Sequence, residues 1–192
     1  MATGRAVQAT CRECEEWPEA LARARWAWVM AEPATTLVHG LKYEGWSLLA
    51  REMGAAMVSA LGREGVGPSV VVAVPTTAAR ERRRGYNQAR LLAEVVARTL
   101  AIPLAPALVR GRGGPTQVSL PPSERRANVR GAFLPAGPPG PHLKGARVLL
   151  VDDVLTTGAT AGEAATVLRE MGASEVTVLA FARALPSRRD AS

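Results

Sequence analysis

The chain has 192 residues, 47% hydrophobic, 21% charged and only 4% aromatic, with a net charge of +7 and two cysteines. Such a composition excludes a disordered chain and a disulfide scaffold, and a chain of this size can bury roughly 70% of its unfolded surface in an aliphatic core. No apolar run approaches the ~18 residues of a membrane span, the first residues lack a secretory h-region, and the expectation is a soluble cytoplasmic protein whose positive charge favours anionic partners.

Residues 1–34 read as irregular, with Cys11 and Cys14 in a C-x2-C and an Ala/Trp-rich stretch after it. Thr35 or Thr36 can cap a turn into 37–43, and the apolar spacing over 47–61 predicts a helix capped by Ser47 and stopped by Gly62. The run SVVVAV (69–74) predicts a strand covered on both faces, ended by Pro75. An Arg-rich loop follows over 76–85, then a helix over 88–100 capped by Asn87. Residues 102–109 suit an edge strand or loop, broken by Pro103 and Pro106. The stretch 110–142, punctuated by Gly and Pro, reads as a long functional loop with a short strand near 128–134. A second buried strand over 146–151, a Thr/Gly turn, a helix over 162–171 and a third strand over 175–181 complete an α/β pattern, which implies a central, mostly parallel sheet flanked by helices.

The informative segment is VLLVDDVLTTGAT, 148–160. Aspartate occurs only at 152, 153 and 190, so two of the three stand side by side at a strand end. Ligands of parallel sheets bind beyond the carboxyl ends of the strands. The turn Thr156, Thr157, Gly158, Ala159 and Thr160 opens a helix, where backbone N–H groups and the positive end of the dipole suit a phosphate. Gly158 allows close approach, and the carboxylates of Asp152 and Asp153 can accept bonds from vicinal hydroxyls or face a metal ion. A 5-phosphorylated ribose satisfies both halves. The plainer alternative for the acidic pair is a solvated turn after a strand.

This segment resembles the phosphoribosyl-pyrophosphate signature of type I phosphoribosyltransferases. With LKYEG (41–45), VPTTAARERRRGYNQA (74–89), TQVSL (116–120) and RRANVRGAF (125–133) preceding it in order, the chain is similar to the ComF family of amidophosphoribosyltransferase-like proteins, associated with competence and DNA uptake. The resemblance covers about residues 35–183. It implies a type I phosphoribosyltransferase fold with a small N-terminal hood, a domain over 35–185, a degenerate zinc-finger-like segment over 1–34 and a polar tail over 186–192. It implies that Asp152 and Asp153 hold the ribose 2′- and 3′-hydroxyls, that residues 156–160 hold the 5-phosphate, and that Mg²⁺ is held through the substrate, with no protein metal site. Thr76, Thr77 and Arg84 are the candidates for pyrophosphate, and Arg125 is the candidate catalytic residue of the closing loop. Lys42 and Tyr43 are plausible neighbours of the site.

Two departures from the family pattern matter. The zinc finger usually carries four cysteines, and here only Cys11 and Cys14 remain. Purine-salvage relatives commonly place an Asp where this chain has Thr156, which disfavours 6-oxopurine acceptors. The expected reaction is transfer of phosphoribose to a nitrogen nucleophile with Mg²⁺, by a homodimer. The alternative is a non-catalytic sensor of phosphoribosyl pyrophosphate or a nucleotide, or an adaptor in DNA import with a DNA or competence-machinery partner.

Overall fold

The structure, a computed structural model, describes residues 19–62, 67–111, 131–138, 140 and 142–185. The elements in chain order are β1 (Arg23–Val29), α1 (Ala34–Tyr43), a 3-10 turn (Ser47–Leu49), α2 (Ala50–Ala60), β2 (Val70–Ala73), α3 (Ala78–Arg84), α4 (Gln88–Leu100), β3 (Leu108–Arg110), β4 (Phe133–Pro135), β5 (Arg147–Leu155), α5 (Ala159–Glu170) and β6 (Glu175–Arg183).

Four strands form a parallel sheet in the order β1-β6-β5-β2. Beyond β2, a single parallel bridge between Val71 and Leu104 marks the fifth strand position that the sequence suggested. There Val71 N–H donates to the Pro103 carbonyl at 2.8 Å and Ala105 N–H donates to the Val71 carbonyl at 2.9 Å. The prolines keep this segment to a bridge. The strands β3 and β4 form a separate antiparallel ribbon.

Both faces of the sheet are covered, as its unbroken β-branched runs require. Side chains alternate across it. Val70, Val72, Val148, Leu150, Val176 and Val178 face α5 and the ribbon, while Val71, Leu149, Val151 and Leu179 face α1, α2 and α4. Leu41, Met53, Met57, Leu92 and Leu168 close the two layers, all but sealed from water.

Several elements differ from the sequence reading. The stretch taken as irregular supplies β1, an edge strand paired with β6 from Arg23↔Thr177 to Val29↔Arg183. Ser47 opens a 3-10 turn and makes no side-chain cap, so the helix over 47–61 begins at Ala50. Thr36 does not cap α1 either. Its hydroxyl bonds Glu32 Oε2 at 2.7 Å. The Arg-rich loop is largely the helix α3, with Thr77 Oγ1 accepting from Arg80 N–H at its start and Gly85 at φ 83 stopping it. Asn87 caps α4 as expected. The strand β5 runs on through the acidic pair to Leu155, because Asp152, Val154 and Leu155 stay in register with β6. The helix α5 starts three residues early because Gly158, at φ 78, turns the chain directly into it.

Candidate functional site

The carboxyl ends of β2 and β5 open on a cavity of about 600 Å³ lined by Lys42, Tyr43, Thr76, Arg80, Arg83, Arg84, Gln88, Arg110, Asp152, Asp153 and Thr160, with Val74 and Pro75 at its floor. Five cations thus face two carboxylates.

Asp153 is buried at 4% exposure, and its Oδ2 lies 2.8 Å from Lys42 Nζ on α1. A buried carboxylate is tolerated only when paired, and this ion pair provides the partner. Its Oδ1 accepts from Val154 N–H at 3.0 Å, while Asp152 Oδ1 accepts from Asp153 N–H at 2.8 Å. Asp152 is partly buried on the cavity wall. Burial first, and the charge of Asp153 second, push its carboxyl well above the usual carboxylate range, with Lys42 acting in the opposite sense.

The cationic wall comes from three elements, the first being α1 with Lys42. Arg80, Arg83 and Arg84 lie on α3, and Arg110 closes β3. Burial, and then the charge of Arg80, lower the Arg110 guanidinium, while Asp152 raises it. Its Cζ lies 5.0 Å over the Phe133 ring. Arg84 Nη1 donates to Gln88 Oε1 at 2.8 Å and its Cζ lies 5.1 Å over the Tyr43 ring, but its Nε, shielded from solvent, has no hydrogen-bond partner among the described residues. A buried orphan donor on a cation-rich wall is a place for an anion to bind.

Of the residues singled out in the sequence, Asp152, Asp153, Thr76, Arg84 and Thr160 meet at this cavity, and Lys42 and Tyr43 join them. Thr156, Thr157 and Gly158 form the turn between β5 and α5 and Ala159 opens α5, none of them lining this cavity, and Thr157 Oγ1 accepts from Ala159 N–H at 3.4 Å. Thr77 serves as the α3 cap. Arg125, Cys11 and Cys14 lie outside the described residues. Among the described residues no three His, Cys, Asp or Glu side chains gather as a metal cage. Two carboxylates, one already paired, suit Mg²⁺ only where substrate phosphates complete its shell.

The sequence from 87 to 191 matches the family model of the phosphoribosyl transferase domain, a span that holds the acidic pair and the turn. The chain belongs to the phosphoribosyl transferase domain family. It also belongs with the ComF-related proteins. It is 32% identical to the DNA utilization protein YhgH of Escherichia coli K12 over 91% of this chain and 78% of that one. It is 41% identical to Competence protein F of Haemophilus influenzae over 61% of this chain, spanning about half (51%) of that protein. Similar solved structures include a glutamine phosphoribosylpyrophosphate amidotransferase from B. subtilis, at 26% identity and TM-score 0.47 over 69% of this chain and 26% of that one. Another is a purine phosphoribosyltransferase from Pyrococcus horikoshii, at 18% identity and TM-score 0.43 over 72% of this chain and 83% of that one. The parallel sheet flanked by helices is the type I phosphoribosyltransferase fold. Among the described residues no helix is long and apolar enough to cross a membrane.

Proposed function

We propose that this phosphoribosyl transferase domain binds phosphoribosyl pyrophosphate with Mg²⁺ and transfers its phosphoribosyl group to a nitrogen nucleophile. The observation that carries the reading is the cavity in which two carboxylates oppose five cations and an orphaned Arg84 Nε. Asp152 and Asp153 accept from the ribose 2′- and 3′-hydroxyls. The turn Thr156 to Thr160, opening α5, donates to the 5-phosphate. Thr76, Thr77, Arg80 and Arg84 hold the pyrophosphate, with Arg84 Nε supplying a donor already in place. Mg²⁺ held through the substrate would supply charge neutralisation on the pyrophosphate, beside the carboxylates of Asp152 and Asp153. The bond from C1 to the pyrophosphate oxygen breaks and a C1–N bond forms, while the nucleophile gives up a proton. Charge stabilisation by fixed groups is the main contribution of the chain.

The test is thermal denaturation with phosphoribosyl pyrophosphate, with and without Mg²⁺, followed by assay of pyrophosphate release with ammonia, amines and bases. A Mg²⁺-dependent stabilisation is expected in the unaltered protein and is absent after changing Asp152 and Asp153 together to Ala. An unchanged shift in the double variant rejects the site. Binding without release for every acceptor would favour a sensor. A second reading, an adaptor in DNA handling, is favoured by the names of the relatives and by the four arginines of the exposed helix α3. It requires single-stranded DNA binding that weakens steeply with salt.

A further inference from the structure

Arg183 closes β6 and is only 3% exposed. Its backbone is clamped on both sides. Met30 N–H donates to the Arg183 carbonyl at 2.8 Å, Ala184 N–H donates to the Leu155 carbonyl at 2.9 Å, and Arg183 pairs in register with Val29 and Leu155. The side chain turns toward the junction of β5 and α5. There Nη1 donates to the main-chain carbonyl of Thr156, the first residue of the turn. The guanidinium is held 5.9 Å over the ring of Trp26, on the edge strand β1. A flat cation stacked on indole keeps its donors in one plane, which a lysine cannot do.

The consequence lies in the next peptide bond. In a planar trans peptide the carbonyl and the N–H point in opposite directions. Fixing the Thr156 carbonyl on Arg183 therefore turns the Thr157 N–H away from Arg183, toward the opposite side of the turn. Among the described residues that N–H donates to no carbonyl or side chain. A charge-assisted bond to the carbonyl also polarises the peptide and makes its N–H a stronger donor.

We propose that Arg183 is a positioning residue for the turn, orienting the Thr156–Thr157 peptide so that the Thr157 N–H is presented to the phosphate ester of a sugar phosphate. The proposal rests on the sugar-phosphate reading of the site. It gives Trp26 a part as well, since the indole fixes the plane of the guanidinium.

The experiment is titration calorimetry of the full chain with ribose 5-phosphate and, separately, inorganic pyrophosphate, for the unaltered protein, Arg183→Met and Arg183→Lys. Loss of one charge-assisted orientation should weaken ribose 5-phosphate by ~10-fold or more in Arg183→Met, leave pyrophosphate within about 2-fold, and be partly rescued in Arg183→Lys. Unaltered affinity for ribose 5-phosphate in Arg183→Met overturns the proposal, as does an equal loss for both ligands in a folded variant, which is what general support of the fold would give. If Arg183→Met does not fold, the amide spectrum of the unaltered protein decides. The Thr157 N–H proton should move downfield as ribose 5-phosphate saturates, and an unmoved signal overturns the proposal. An unaltered protein that binds neither ligand would overturn the reading of the site itself, and this inference with it.

Discussion

Two adjacent carboxylates at one strand end divide their roles through their partners. Asp153 is the more buried and is paired with Lys42, whereas Asp152 is the more open to the cavity they both line, with its carboxyl pushed up by burial and by the charge next to it. A group whose folded-state pKa is raised above its unfolded value is best accommodated protonated. For an acid, that contribution to stability is complete below the unfolded value, near 4, and is lost as pH rises through the raised folded value. Asp152→Asn keeps an oxygen for the Asp153 N–H and removes the charge. Its denaturation midpoint at neutral pH should exceed that of the unaltered protein, and the two should converge as pH falls toward about 4. Equal midpoints at neutral pH would show that the folded protein carries this charge at no cost. The pair itself was legible in the sequence because Asp is so rare here. Lys42 entered the sequence reading only as a neighbour of the site, within the LKYEG segment of the family resemblance. That Lys42 reaches Asp153 was not legible, since nothing local links residues so far apart.

At the scale of elements, the strands buried on both faces announced themselves as β-branched runs, and α4 by its apolar stripe and Asn87 cap. Two elements did not. In β1, Trp26 and Trp28 remain about 40% exposed on an edge, so no apolar alternation marks it, and its pairing comes wholly from β6. In α3 no residue is buried, so no 3.6-residue period exists, and the helix is fixed by its Thr77 cap and the left-handed Gly85. The contact of α2 with α4 gives a prediction at this scale. A Cβ added to Gly54 would lie 2.6 Å from Val95 Cγ1 and 2.7 Å from Val95 Cβ. Removing a mid-helix glycine gains ~1 kcal/mol of helix propensity, but overpacking against a branched side chain costs ~1–3 kcal/mol. Because Cβ itself is struck, a rotamer change cannot relieve the clash and the helices must separate. Gly54→Ala should therefore be destabilising by roughly 1 kcal/mol in urea titration, and adding Val95→Ala, which removes Cγ1 but keeps the struck Cβ, should recover only a part of the loss. A single variant more stable than the unaltered protein would mean that the two helices yield freely.

At the scale of the molecule, the cavity draws on α1, the β2–α3 junction, β3, the end of β5 and the first turn of α5, so the signature showed one wall and the fold supplied the other. Five cations around two carboxylates leave an excess of positive charge that an anionic ligand would relieve. A ligand that binds only the folded state stabilises it by ~2.7 kcal/mol at one hundred times its Kd. For a chain of this length each kcal/mol moves the midpoint by roughly 2–4 °C. Saturating phosphoribosyl pyrophosphate with Mg²⁺ should then raise Tm by roughly 5–10 °C. Because charge drives the binding, the increment at fixed ligand concentration should shrink as NaCl rises, while the Tm of the protein alone should hold or rise as repulsion among the cations is screened. Asp152→Asn separates the two effects, raising the Tm of the free protein at neutral pH while reducing the increment due to ligand. An increment indifferent to salt would mean that this wall of guanidinium groups does not hold the anion.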